Sequence, residues 1–209
     1  MSTAEAYRGY DTIRAQALEL FVNKGFGQVS MRELARHVGL APGSLYNHFP
    51  SKQALLYDLI EEIYEELYLL VQPARQGSAQ VRSLSNLIVA HLCLHRRCPH
   101  GFRLALHGFV YLDDAQQQRI VYKRKLYESA FIAAVFNDTP QAKDTGSVAA
   151  HAITQFLNCL PDWLDDRHLN DETCVFLVER LIRGALRECL CSCLHEKNSS
   201  KPCEKASTA

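Results

Sequence analysis

The sequence predicts an all-α protein of about nine helices. Apolar residues recur at three- and four-residue intervals along most of the chain, and no alternating apolar–polar stretch of convincing length interrupts them. Glycines and prolines fall where such helices would stop. Hydrophobic residues make up 47% of the 209, ample for a packed core.

The elements follow in chain order. Residues 13–24 carry Ile13, Ala17, Leu20 and Phe21 on one face, with Gly25 as C-terminal cap. Ser30-Met31-Arg32-Glu33 reads as a capping box, the Ser hydroxyl and Glu carboxylate each satisfying a free backbone N–H. The helix it opens buries Met31, Leu34, Ala35 and Val38, and Gly39 stops it. A short segment from Ala41 to Phe49 ends at Pro50. Ser51 then caps a long helix with Leu55, Leu56, Leu59, Ile63, Leu67 and Leu70 inward, running to about Pro73. Further helices are expected near 79–98, 100–111, 113–137, 145–165 and 171–194. Breaks are expected at Pro99, Asp113-Asp114, Asp138-Thr139-Pro140 and the stretch from Arg167 to Asn170. Residues 196–209 are polar and read as a disordered tail. The organisation expected is 1–52, a small N-terminal domain; 53–195, a larger helical domain; and 196–209, the tail.

Composition narrows the function classes. The 23 basic and 23 acidic residues cancel, so net charge points to no partner, although a local basic patch can hide inside a balanced total. No apolar run approaches the roughly 18 residues that cross a bilayer. The first residues lack the basic and apolar regions of a signal peptide, so a cytoplasmic protein is expected and its eight cysteines are not read as a disulfide framework. No Gly-x-Ser-x-Gly elbow, phosphate-binding Gly-rich loop or His-Glu-x-x-His signature appears, so no enzyme and no cofactor is expected.

Residues 31–38 and 42–48, joined by a Gly-containing turn, have the pattern of a helix-turn-helix. Leu34, Ala35, Val38 and Leu45 would fix the crossing, with small Ala35 allowing close approach. The remainder of the second helix (Ser44, Tyr46, Asn47, His48) is polar and suits phosphates and base edges. Lys52 in the first turn of the next helix opposes the helix dipole, a placement intelligible if it faces a phosphate. Over residues 1–52, Arg8, Arg14, Lys24, Arg32, Arg36 and Lys52 outnumber Glu5, Asp11, Glu19 and Glu33. A plain helical corner with a solvated polar face is the competing reading. A DNA-packaging or adaptor role would need neither an internal pocket nor sequence preference.

The run from Val29 to Ala35, followed by Val38-Gly39-Leu40-Ala41-Pro42-Gly43-Ser44-Leu45-Tyr46-Asn47-His48-Phe49-Pro50-Ser51-Lys52-Gln53-Ala54-Leu55, resembles the N-terminal domain of TetR-family transcriptional regulators. The similarity covers roughly residues 10–57, and its Gly-x-Leu-Tyr-x-His-Phe-x-x-Lys core is specific. It implies a homodimer that binds a palindromic double-stranded DNA operator and releases it when a small-molecule effector enters the C-terminal domain. Carried over by position, Tyr46, His48 and Lys52 are implied as phosphate contacts, joined by Ser30 and Arg32. Pro42, Gly43, Ser44 and Asn47 occupy the positions that approach bases. Ser44 and Asn47 can hydrogen-bond through their side chains and are the expected readers, Asn47 standing where an aromatic residue is frequent.

The same resemblance implies a dimer through the last two long helices. Ala149, Ala152, Ile153 and Phe156 on one, and Val178, Leu181, Ile182 and Ala185 on the other, are the stripes expected there, unless they face their own core. The effector pocket is expected among the middle helices, where Leu106, Phe109, Val110, Tyr122, Tyr127, Phe131, Phe156, Asn158 and Trp163 mix apolar surface with a few polar groups. Residues of these kinds are more often plain core than ligand contacts. Arg124 and Lys125 stand where an anionic group would be received, or simply on a solvated face. Two further sensing chemistries stay open. His91, His95 and Cys98 share a helical face and would hold zinc if a fourth group came from elsewhere, but no recognised zinc spacing is reproduced and Arg96 and Arg97 would repel a cation. Cys189, Cys191, Cys193 and Cys203 would serve a thiol-redox switch, or be inert.

Overall fold

The computed structural model describes the backbone of residues 3–72, 84–136, 143–164, 170 and 172–185, and within these the side chains of all but 3–8, 133–136, 143–147 and 161–164. Among the described residues there are nine α-helices and no strand. They are α1 (Thr3–Lys24), α2 (Met31–His37), α3 (Pro42–His48), α4 (Lys52–Val71), α5 (Leu84–Arg97), α6 (Pro99–Gly108), α7 (Asp114–Phe136), α8 (Lys143–Leu164) and α9 (172–185). Short 3-10 turns at Phe26–Gln28 and Phe109–Tyr111 lead into α2 and α7. The expected tail and the last part of the 171–194 helix lie outside the described residues, as do 79–83 and all four C-terminal cysteines.

Most boundaries follow the punctuation in the sequence. Ser30 Oγ accepts from Glu33 N at 3.2 Å and Ser51 Oγ from Ala54 N at 3.0 Å, so both serine caps form. α2 ends in a Schellman arrangement: Gly39 N–H donates to Arg36 O, Leu40 N–H donates to Ala35 O, and Gly39 sits at φ 71°. Asp113 and Gln116 cap α7 reciprocally, and Asn170 Oδ1 accepts from Thr173 N to open α9.

α1 begins ten residues before the expected start at 13. Its first turns are polar and carry no apolar stripe, so local pattern cannot find them. Long-range contacts hold this helix instead: Tyr10 stacks on Phe49 (centroids 5.0 Å apart) and its hydroxyl donates to Asp58. Arg14 reaches both Asp58 (2.6 Å) and Glu62 (2.7 Å) on α4.

α4 is the central helix. Leu55, Leu56, Leu59, Ile60, Ile63, Tyr64, Leu67 and Val71 are buried along it, touching the N-terminal helices at one end and the larger bundle at the other. α6 lies close against it because two glycines spare the room. A Cβ on Gly101 would come within 2.4 Å of Ile63 Cδ1, and one on Gly108 within 3.0 Å of Leu56 Cδ1. No helix among the described residues is long and apolar enough to cross a membrane.

Candidate nucleic-acid interface and adjoining cavity

α3 is anchored by one side chain and exposes the rest. Leu45 is fully buried at 0% exposure, whereas Pro42, Gly43, Ser44, Tyr46 (51%), Asn47 and His48 are all exposed. Pro42 fills the first helical position, where a missing N–H costs nothing, and Phe49, buried beyond the last turn, fixes the exit. Arg32 and Arg36 on α2 are exposed beside this face. The arrangement is a polar helix held rigidly at the surface, with hydrogen-bonding side chains free and its apolar residue spent on packing.

Lys52 departs from the expectation that it faces a phosphate. Its ammonium donates to Phe26 O (2.8 Å) and Val29 O (2.6 Å) and lies 4.3 Å above the Phe26 ring. Burial pushes its pKa down. Two of its three N–H donors therefore close the carbonyls of the turn that precedes α2. Arg14 and Lys24 are also engaged, with Asp58 and Glu62 and with Glu33. Among the described side chains, the basic excess read over residues 1–52 thus thins toward Arg32 and Arg36 once partners are counted; the side chain of Arg8 lies outside them.

A cavity of about 130 Å³ lies between α4, α6, α7 and α8. Its apolar wall includes Ile63, Leu67, Phe102, Ala105, Leu106 and Phe109, and its polar groups are Tyr64, Arg124, Gln155 and Asn158. Of the expected pocket residues, Leu106, Phe109 and Asn158 line it. Tyr127 and Phe131 are instead buried core, their rings 6.0 Å apart, and Phe156 is half-buried without lining the cavity. Val110 and Tyr122 point outward at 72% and 63% exposure, because helical periodicity turns them a quarter-turn or more from the inward positions. The Trp163 side chain lies outside the described residues. Ile63, Tyr64, Leu67, Phe102 and Gln155 had no distinguishing signal in the sequence, being indistinguishable there from ordinary core and helix surface.

The histidine pair on α5 does not converge with Cys98 on a common point. His91 Nδ1 is hydrogen-bonded to the Tyr127 hydroxyl at 3.0 Å, while His95 Nε2 bonds the Asn158 carbonyl at 3.2 Å and its ring stacks on Phe102. Among the described residues no group of three His, Cys, Asp or Glu is placed to hold a metal ion. Burial, with His95 nearby, pushes the His91 pKa down from 6.5 to about 3, and burial raises that of Tyr127, so both groups are neutral around pH 7. Between pH 6.5 and 3 the unfolded chain therefore binds a proton that the folded one refuses, and His91 makes stability fall as pH falls through that window. Urea denaturation should show a loss of about 2 kcal/mol between pH 7 and pH 5 from this residue. His91→Gln should flatten that slope; an unchanged slope would mean that His91 is not the group responsible.

The exposed stripe on the last helices differs from the one expected. Ile153, Val178 and Ile182 are buried within the subunit, because they fall on the inward side of α8 and α9. Leu181, Ala185 and Ala152 are exposed, Ala149 and Phe156 are half-buried, and Val148, Phe176 and Leu177 add further exposed apolar surface. The two stripes lie side by side at helical spacing, and only packing separates them.

A buried-anchor helix following a glycine turn, mounted on an all-α bundle with its own cavity, defines a helix-turn-helix protein of the kind whose second helix enters a DNA groove. Residues 13–59 match the family model for the bacterial regulatory proteins of the tetR family. The match is confined to the N-terminal helices, and the described residues share the fold of solved regulatory proteins of that family. Over 123 residues the chain is 30% identical to the nucleoid occlusion factor SlmA of Citrobacter koseri, covering 56% of this chain and 61% of that protein. The chain thus spans less than two thirds of the curated relatives it matches, 18% of one and 61% of another. Among solved structures it resembles a tetR-family regulatory protein from Rhodococcus RHA1 (TM-score 0.70, 24% identity, 90% of this chain and 97% of that one). It also resembles AibR in complex with isovaleryl coenzyme A and operator DNA (TM-score 0.66, 20% identity, 81% and 96%).

Proposed function

We propose that the protein is a ligand-responsive transcriptional regulator that acts in the cytoplasm as a homodimer. It binds a palindromic operator, represses, and is released by a small, partly apolar effector. The observation that carries this reading is α3: a surface helix with Leu45 wholly buried and Ser44, Tyr46, Asn47 and His48 all presented outward, within the segment that matches the tetR family. Two such helices about 34–36 Å apart would enter successive major grooves on one face of a duplex. The likeness to a fold crystallised with operator DNA and an acyl-coenzyme A supports the effector half of the reading. So does the cavity, which a DNA-packaging role would not require.

A physical route joins cavity and recognition helix. Phe109 lines the cavity, and Tyr111, two residues on in the same 3-10 turn, packs on Phe26 with centroids 5.0 Å apart. Phe26 is the ring beneath Lys52, whose ammonium holds the carbonyls of Phe26 and Val29 immediately before the Ser30 cap of α2. An occupant that displaces Phe109 would therefore strain the turn that orients α2 and α3, in addition to shifting α4. The effector acts only through its preference for the conformation that does not bind DNA.

Operator binding by three variants tests the placement. Asn47→Ala should change preference at one base pair per half-site, by about 1–3 kcal/mol of discrimination. Tyr46→Ala should weaken all sequences alike, and Arg32→Ala should in addition flatten the salt dependence by about one phosphate's worth. If Asn47→Ala altered no base preference and Arg32→Ala left the salt slope intact, α3 and α2 would not be the elements on DNA.

A further inference from the structure

Two polar atoms at the cavity wall have no partner although both are buried from solvent: Arg124 Nε, a donor on a cation, and Asn158 Oδ1, an acceptor. Unpaired buried groups of this kind are costly in a folded protein and call for an explanation. Arg124 forms only a long ion pair with Glu128 one turn on, and it also meets the Tyr64 hydroxyl. Glu128 is drawn instead to His151 Nδ1 at 2.7 Å and to Thr154, which leaves Arg124 Nε 3.6 Å from its carboxylate, beyond hydrogen-bond reach. Opposite these groups the wall is apolar, formed by Ile63, Leu67, Phe102 and Phe109. The volume of about 130 Å³ is close to that of an engineered cavity of about 150 Å³ that takes benzene. It is well below the roughly 300–1,000 Å³ of sites for drug-sized ligands, so a coenzyme moiety does not fit inside it.

We propose that this cavity binds a small hydroxy-substituted carboxylic acid, of one ring or a short branched chain. Its carboxylate accepts from Arg124, and its hydroxyl donates to Asn158 Oδ1. The assignment rests on the effector reading above and names the chemical class of the effector. Charge sets the class: a guanidinium donor in a partly dry site favours an anionic acceptor over a neutral one. Asn158 Oδ1, which only the His91 ring approaches, favours a ligand with a donor at the other end. The apolar wall accepts the carbon skeleton and limits its size.

The test uses the full chain and calorimetric titration with 4-hydroxybenzoate, 2-hydroxy-3-methylbutanoate, their two amides, and benzoate. At least one hydroxy acid should bind about tenfold or more tightly than its amide, and 4-hydroxybenzoate should exceed benzoate. Arg124→Gln should erase the preference for acid over amide. Asn158→Leu should erase the preference for the hydroxyl while leaving the preference for acid over amide in place. Failure of both hydroxy acids to bind below about 1 mM, amides binding as well as acids, or unaltered acid binding by Arg124→Gln would each overturn the proposal. Operator release measured in parallel separates the two readings. Acid binding with these variant effects but no DNA release upholds the ligand class and removes the effector role. Release by an amide and not by the acid overturns the ligand class and keeps the effector role.

Discussion

Replacing Leu181 by glutamate is expected to convert the protein to monomers and to weaken operator binding by about a hundredfold or more. Leu181 is 56% exposed on α9, one turn after the exposed Leu177, and Val148 on α8 is exposed as well. Surface of that kind on a protein proposed to bind a two-fold symmetric site is the natural place for a second copy to dock. A carboxylate buried at the centre of such an interface, with no partner, would cost several kcal/mol. The loss on DNA is larger than the loss of one contact because linking two half-site readers raises the effective concentration of the second, worth about 10²–10⁴ in affinity. Light scattering on the purified variant reads the mass directly. Val178 and Ile182 serve as controls of the opposite kind: both are buried in the subunit, so polar substitutions there should destabilise the fold rather than only separate dimers. A Leu181→Glu variant that remained dimeric would move the interface elsewhere.

Lys52→Ala is expected to lower stability by about 2–4 kcal/mol, since it removes two charge-assisted hydrogen bonds and leaves the Phe26 and Val29 carbonyls without them. DNA binding should weaken because the turn before α2 loosens, yet its salt dependence should scarcely change. A phosphate-neutralising lysine behaves oppositely: its loss leaves stability nearly unaltered and reduces the slope of log K against log salt by about 0.9. Thermal denaturation and a salt titration of operator binding on the same variant distinguish the two roles. A slope reduced by about 0.9 with an unchanged melting temperature would return Lys52 to the phosphate backbone.

The recognition unit was legible in the sequence because everything that shapes it is local. Ser30, Gly39, Pro42, Pro50 and Ser51 each act within four residues of the helix end that they cap or stop, and the structure places the boundaries of α2 and α3 where they predict. Roles set by distant chain were not legible. The carbonyls that occupy Lys52 lie 23 and 26 residues away, and the carboxylates that engage Arg14 lie 44 and 48 away, so both side chains read as free surface charge. His91 and His95 share a helical face, but that spacing equally places two polar groups in a core, where Tyr127 meets His91 Nδ1 and the Asn158 carbonyl meets His95 Nε2. On α8 and α9 the sequence shows apolar surface wider than one stripe. Periodicity alone cannot say which half faces the subunit's own core, and the answer came from packing of Ile153, Val178 and Ile182. The cavity shared this difficulty, since its wall residues are of the same kinds as the surrounding core.

The central claim, that α3 reads sequence on DNA within a symmetric dimer, is tested most directly by selecting binding sites for the full-length protein from a pool of random duplexes and sequencing the survivors. The account predicts enrichment of an inverted repeat whose half-site centres lie one helical turn, about 10–10.5 base pairs, or a multiple of it apart. It further predicts that Asn47→Ala shifts the preferred base at one position in each half. Recovery of no common motif, or of a lone half-site bound as well as any repeat, would contradict it.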